Sequence, residues 1–117
     1  MSNIARFDGL RVVSYLSITS SYTPFGLPLD HSMRLLDFQN DTDALIYLSF
    51  DGVNDNIAMT PGGSFRIYDV TADQDTNEKF RYQRGTQVML KYVGSAPTNN
   101  ATLTNNCYMT ALYGKGE

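Results

Sequence analysis

The segment from Asp43 to Asp69 constrains the fold of this chain more than any other part of the sequence. It begins with an apolar run rich in strand-forming residues, which ends at Asp51-Gly52. A second short run ends at the corner Pro61-Gly62-Gly63, and alternating apolar and polar residues follow it. Three strands are therefore predicted in close succession, at residues 44–50, 57–59 and 65–68.

The rest of the chain also favours strands, because no segment sustains the apolar period of a helix. Residues 10–18 come nearest to a helix, but their β-branched side chains favour a strand. One face of that strand would be formed by Leu10, Val12, Leu16 and Ile18. Further strands are predicted at residues 33–38, 80–82, 86–93 and 107–113, and polar loops at 20–30, 71–78 and 94–106.

About eight short strands, with turn signals roughly every ten residues, are typical of an antiparallel β-sandwich. A jelly-roll-like arrangement fits this pattern best. We therefore predict one all-β domain at residues 10–113, with an N-terminal arm at 1–9 and a flexible C-terminal tail at 114–117. The strand at 86–93 would place Val88, Leu90 and Tyr92 together on one face.

Composition excludes several classes of protein. The chain has 117 residues, of which 42% are hydrophobic, so it can bury a core. No apolar run approaches the roughly 20 residues of a membrane span, and the N-terminus lacks the pattern of a signal peptide. The formal net charge of −3 argues against non-specific binding of nucleic acid. We therefore expect synthesis in a cytoplasm, with neither membrane nor nucleic acid as a partner.

Few residues suggest catalysis or metal binding. His31 and Cys107 are the only residues of their types, and a thiol that starts an apolar strand is more often buried than nucleophilic. The segment Asp73-Gln-Asp75-Thr-Asn77 matches the start of a calcium loop, but Glu78 and Arg84 occupy the positions that need glycine and glutamate. Weak calcium binding by this acidic loop stays an open alternative.

Three aspartates, Asp51, Asp55 and Asp69, surround the turns of the opening segment. Paired carboxylates serve glycoside hydrolysis, but Asx turns explain Asp51 and Asp55 without any catalytic role. The glycine-rich corner also lacks the lysine of a phosphate loop. We therefore expect no enzymatic activity and no cofactor, and a hydrolase is the weakest alternative.

Apolar residues in a loop that should otherwise be polar are the best candidates for a binding surface. Tyr22, Phe25 and Leu27 lie in the predicted loop at 20–30, and Arg81 and Arg84 lie near the turn that follows the strand at 80–82. We predict that these five residues form a partner interface. Replacing Phe25 and Leu27 with serine is then predicted to weaken partner binding and to leave the fold intact.

Three groups of residues resemble small virion proteins of tailed bacteriophages. They are Tyr47-Leu-Ser-Phe-Asp-Gly-Val-Asn-Asp55, Pro61-Gly-Gly-Ser-Phe65, and Gly85-Thr-Gln-Val88 through Lys91-Tyr-Val-Gly-Ser-Ala-Pro97. With Tyr108-Met-Thr-Ala-Leu-Tyr-Gly114 as a closing aromatic strand, the resemblance covers residues 43–114. Members of this kind are structural β-sandwiches. Some look like capsid decoration (cement) proteins, others sit at the head–tail junction, and no catalytic residues come with the resemblance.

The resemblance implies a non-enzymatic decoration protein on the outer capsid surface of a virion, made in the host cytoplasm. Such a protein would form homodimers or homotrimers and clamp neighbouring subunits of the major capsid protein, and the apolar surface buried there would stabilise the shell. A head–tail connector or tail component of the same virion and a carbohydrate-binding β-sandwich module remain alternatives. Binding specificity is expected in the first forty or so residues, which the resemblance does not cover.

Overall fold

The computed structural model describes residues 4–68 and 84–115. Within these ranges the chain forms nine strands and one 3-10 turn, Tyr15–Ser17. The described ranges contain no helix long and apolar enough to cross a membrane. The strands are β1 (Ile4–Phe7), β2 (Arg11–Ser14), β3 (Thr23–Pro24), β4 (Met33–Asp41), β5 (Leu45–Ser49), β6 (Ile57–Met59), β7 (Ser64–Tyr68), β8 (Met89–Val93) and β9 (Asn106–Lys115).

These strands form two antiparallel sheets. In sheet A the order is β9-β4-β7, and β1 and β2 lie end to end along the other edge of β9. In sheet B the order is β3-β8-β5-β6. Successive strands after β2 lie in different sheets, except for β5 and β6. This connectivity is that of a jelly roll, and it confirms the predicted all-β, jelly-roll-like sandwich.

The glycine corner after β6 transfers the chain from sheet B to sheet A. β5 and β6 form a hairpin in sheet B, whereas β7 pairs with β4 in sheet A. Gly62 has a φ of +75°, and a Cβ on Gly63 would lie 2.9 Å from the carbonyl oxygen of Thr60. Glycine is therefore required at both positions for so short a corner. The three strands of the opening segment join the two layers of the sandwich.

The core fills the space between the two sheets, and its aromatic centre consists of three phenylalanines. The ring of Phe38 makes edge contacts with those of Phe25 and Phe50, at centroid distances of 6.0 and 6.3 Å. Phe38 lies on β4 in sheet A, whereas Phe25 follows β3 and Phe50 follows β5 in sheet B. These edge-to-face contacts therefore hold the two sheets together.

The strand predicted at residues 10–18 is shorter than expected, and most of its predicted apolar face is exposed. β2 ends at Ser14, whose Oγ accepts a hydrogen bond from the backbone N–H of Leu16 and begins the 3-10 turn. The register of β2 with β9 sets Val13 beside the buried Cys107, so Val13 is the residue that packs against the core. Of the four residues on the predicted face, Leu10, Val12 and Leu16 are exposed and only Ile18 is buried.

Both ends of the described chain belong to sheet A. Four residues of the predicted arm form β1, which pairs with residues 112–115 of β9. β9 itself runs through Lys115, so two residues of the predicted tail also lie in the sandwich. Pairing with β9 satisfies the backbone hydrogen-bonding groups of β1. The sequence of β1 is too short for this strand to be predicted. The strand predicted at 80–82 and the acidic, calcium-like segment at 73–77 lie outside the described residues.

Candidate interaction surface

The loop at residues 20–30 places the two apolar residues of the predicted interface in different environments. Phe25 is fully buried, and its backbone N–H donates to the carbonyl oxygen of Val88 at 2.7 Å. Leu27 is 75% exposed, and its carbonyl oxygen accepts a hydrogen bond from Arg11 Nη1. Phe25 is therefore a core residue that offers a partner no surface, whereas Leu27 is available for contact.

Tyr22, which precedes β3, belongs to a cluster on the outer side of sheet B. Its hydroxyl donates a hydrogen bond to Asp55, and Lys91 Nζ lies 4.6 Å from the centroid of its ring. The same ammonium lies 3.5 Å from Asp55 Oδ1. Burial and the hydrogen bond to the Asp55 carboxylate raise the pKa of Tyr22 well above its ordinary value. Tyr22 therefore stays a neutral donor and links the loop to sheet B.

Arg84 is exposed beside a turn at Gly85, and Arg81 lies outside the described residues. The backbone N–H of Gly85 donates to the carbonyl oxygen of Leu29 at 2.8 Å, so this turn lies against the loop at 20–30. Leu27 and Arg84 thus stand on neighbouring segments. Tyr22 instead contacts Asp55 and Lys91 on sheet B. The interface as a whole stays a prediction, and Phe25 is the residue of it that the structure buries.

His31 and Cys107 lie apart, and the thiol of Cys107 is buried, as predicted. The imidazole of His31 stacks on the ring of Tyr113, with centroids 3.7 Å apart and planes inclined by 7°. Cys107 is buried six residues away along β9, a distance of about 20 Å at the usual rise of a strand. Burial, with a smaller contribution from the charge of Asp41, raises the pKa of the Cys107 thiol to about 12. The described residues also contain no group of three or more potential metal ligands.

Asp51 organises the turn between β5 and β6, as the Asx interpretation predicted. Its Oδ1 accepts hydrogen bonds from the backbone N–H groups of Val53 and Asn54, at 2.9 and 2.8 Å, and from the hydroxyl of Ser49 at 2.9 Å. Its Oδ2 accepts from Asn54 Nδ2 at 2.6 Å. Because the backbone donors of Asn54 and Val53 favour the ionised form most, the pKa of Asp51 lies well below its ordinary value of 3.8.

This lowered pKa makes the turn sensitive to acid. Since the pKa of Asp51 is lower in the folded chain than in the unfolded one, its contribution to stability is complete above about pH 4 and is lost as the pH falls through the folded-state value. We expect Asp51→Asn to lower Tm at neutral pH and to reduce the fall of Tm between about pH 5 and pH 2. Thermal melts followed by circular dichroism measure this, with exposed Asp30→Asn as the control. Parallel wild-type and Asp51→Asn curves would contradict the assignment.

Large apolar side chains are exposed mainly in the N-terminal part of the described chain. Seven such side chains are exposed among the described residues, and five of them lie between residues 7 and 27. We call these five the N-terminal apolar surface: Phe7 (73% exposed), Leu10 (60%), Val12 (49%), Leu16 (78%) and Leu27 (75%). Scattered apolar side chains are ordinary on a protein surface, but five within some twenty residues of chain favour an interaction site there.

Strand register continues this surface across the outer face of sheet A. Phe7 pairs with Leu112 of β9, and Leu112 pairs in turn with Leu35 of β4. Cross-strand partners project from the same side of a sheet, and Leu112 alternates with the buried Ala111, so this row faces outward. Val12 pairs with Tyr108, four residues along β9 from Leu112 and therefore about 13 Å away. The row of Phe7, Leu112 and Leu35 could not be predicted from the sequence, because it depends on pairing between distant strands.

No known protein family, curated protein or solved structure matches this chain at a significant level. The resemblance to small virion proteins therefore stays a prediction. What the fold defines is a class, the jelly-roll β-sandwich. Because such folds carry many unrelated functions, the function has to be argued from the surface of this molecule.

Proposed function

We propose that this chain is a non-enzymatic virion structural protein of a tailed bacteriophage, a capsid decoration protein that clamps neighbouring subunits of the major capsid protein. The observation that carries the proposal is the N-terminal apolar surface. Burial of apolar area contributes roughly 25 cal/mol per Å² to association, so a partner that covers these side chains is stabilised by them. The surface also lies within the first forty or so residues, where binding specificity was expected.

A partly buried ion pair holds the base of this surface in place. Arg11 Nη2 lies 3.3 Å from Asp8 Oδ2 and 3.5 Å from the carbonyl oxygen of Pro28. The side chains of Arg11 and Asp8 are only 12% and 20% exposed. This arginine therefore links β2 to the segment that carries Leu27, so that the surface requires little ordering when it binds.

The net charge supports a decoration role, and self-association would strengthen it. The formal net charge of −3 suits a protein on the outer capsid surface, away from packaged DNA. Self-association as a homodimer or homotrimer would bring two or three copies of the N-terminal apolar surface to adjacent capsid subunits. Multivalent attachment of this kind raises the occupancy of a weak individual contact.

Capsid binding is the test of this proposal. We expect Phe7→Ser combined with Leu27→Ser to reduce occupancy on capsids assembled without the protein by at least about tenfold, equivalent to about 1.4 kcal/mol. Both residues are exposed, so circular dichroism and Tm should change little. Quantitative gel densitometry of purified particles measures the occupancy.

The matched control is Val53→Ser, because Val53 is 81% exposed on the β5–β6 turn, outside the N-terminal apolar surface. This variant should bind as the wild type does. Undiminished occupancy of the double variant would refute the proposed contact. If the pure protein instead assembles into a closed ring, the head–tail connector is the better assignment.

A further inference from the structure

The outer side of sheet B has a depression that no part of the proposed function uses. Its volume is about 300 Å³, and it is lined by Tyr47, Asp55, Asn56, Ile57 and Ala58. Tyr47 lies on β5 and Ala58 is its register partner on β6, while Asp55 and Asn56 come from the turn between these strands. The depression is thus built by one hairpin of sheet B, and none of its lining residues belongs to the N-terminal apolar surface.

The polar groups of the depression are held in fixed positions by contacts outside it. Asn56 Oδ1 accepts a hydrogen bond from the backbone N–H of Phe50 at 2.9 Å, and the backbone N–H of Asn56 donates to Leu48 at 2.9 Å. The turn therefore orients the side chain of Asn56 through its oxygen, and none of these bonds uses the Nδ2 group. Asp55 is oriented by the hydroxyl of Tyr22 and the ammonium of Lys91.

Tyr47 is only half-buried and lines the depression. Its register partner on β8 is Lys91, whose ammonium is directed toward Tyr22 and Asp55. Its partner on β6 is Ala58, which is small and exposed. The depression exists because a methyl group occupies this position, where a larger side chain would fill it.

We propose that this depression binds one pyranose ring of an uncharged glycan. An aromatic ring provides a surface for the C–H groups of a sugar, a carboxylate accepts hydrogen bonds from its hydroxyls, and an amide donates to them. The ion pair of Asp55 with Lys91 brings the local net charge close to zero, which favours an uncharged ligand. The volume stands at the lower end of the range for small-molecule sites, which fits a single ring.

The site does not depend on a virion role, so its test is separate from capsid binding. The probes are the methyl glycosides of glucose, galactose, mannose and N-acetylglucosamine, titrated into the ¹⁵N-labelled protein. We expect at least one of them to shift the side-chain amide signals of Asn56 and the backbone signal of Tyr47 saturably. Because a single ring buries little surface, the Kd should be about 1 to 10 mM.

Ala58→Leu fills the depression without touching the core, because Ala58 is exposed. It should weaken binding by at least about tenfold. Tyr47→Leu, which removes the ring and keeps an apolar residue, should do the same. Val53→Ser, on the same turn but outside the depression, should bind like the wild type. The dispersion of the ¹⁵N spectrum reports whether each variant is folded.

Three results would overturn the assignment. No saturable shift with any glycoside up to about 50 mM would exclude a site of the expected affinity. Shifts that persist unchanged in folded Ala58→Leu or Tyr47→Leu would place binding elsewhere. Saturable binding of adenosine or thymidine at this site, without binding of the glycosides, would identify a nucleoside site in its place.

Discussion

Phe25→Ser is expected to lower the free energy of unfolding by about 3 to 5 kcal/mol. Phe25 is fully buried, and its ring contacts that of Phe38 at the centre of the core. Serine removes the aromatic ring, leaves a cavity between the two sheets, and brings in a hydroxyl that must find a partner there. Urea denaturation followed by circular dichroism and tyrosine fluorescence measures the change as a lower midpoint at constant m.

Leu27→Ser is the matched control, two residues further along the same loop. Leu27 is 75% exposed, so the free energy of unfolding should change by no more than about 0.5 kcal/mol. The sequence-based prediction replaced Phe25 and Leu27 together. The two single variants distinguish a loss of stability, expected at Phe25, from a loss of partner contact, expected at Leu27. If Phe25→Ser is as stable as the wild type, the loop does not fold against the core as described.

Asn40→Ala is expected to cost about 3 kcal/mol, because it leaves several buried backbone groups without partners. Asn40 is 1% exposed, and its Nδ2 lies within hydrogen-bond distance of the carbonyl oxygens of Ala44, Met59 and Thr60, at 2.8, 3.2 and 3.1 Å. Its Oδ1 accepts from the hydroxyl of Thr42 at 2.6 Å. One side chain of sheet A thus holds the start of β5 and the end of β6 in sheet B.

Gln39→Ala provides the control for this prediction. Gln39 neighbours Asn40 on β4 but is exposed, so its loss should change the free energy of unfolding by no more than about 0.5 kcal/mol. Asn40→Asp preserves the shape of the side chain and removes its amide donors, and at neutral pH it should destabilise as Asn40→Ala does. A stable Asn40→Asp variant would show that side-chain volume, rather than hydrogen bonding, matters at this position.

The positions of strands and their buried faces could be predicted where apolar and polar residues alternate within the strand itself. The strand at 57–59 was predicted with its observed bounds. The strand before it is one residue shorter at each end than predicted, and the strand after it begins one residue earlier. Val88 and Leu90 are buried and Tyr92 packs against the core, as the alternation in β8 indicated. Alternation works for these strands because each has one face on the core and one toward solvent.

Residues whose burial depends on distant partners could not be predicted. Phe25 lies in a proline- and glycine-rich loop, and only its pairing with Val88 and its contact with Phe38 bury it. The outward direction of Val12 follows from the register of β2 with β9, which no local pattern records. Tyr22, Asp55 and Lys91 meet because three separate segments converge on sheet B. The only local indication was Lys91, whose charged side chain marks the solvent-facing side of β8.

The position of β9 determines when this protein can fold during its synthesis. β9 lies at the centre of sheet A, and among the described strands β1 and β2 pair with β9 alone. β1 and β2 leave the ribosome before β9 and must therefore wait for residues 106–115 before they gain the partner seen in the fold. Until then their open edges can pair with other nascent chains. A ribosome that stops before residue 106 releases a chain in which β1 and β2 lack the strand that they pair with in sheet A.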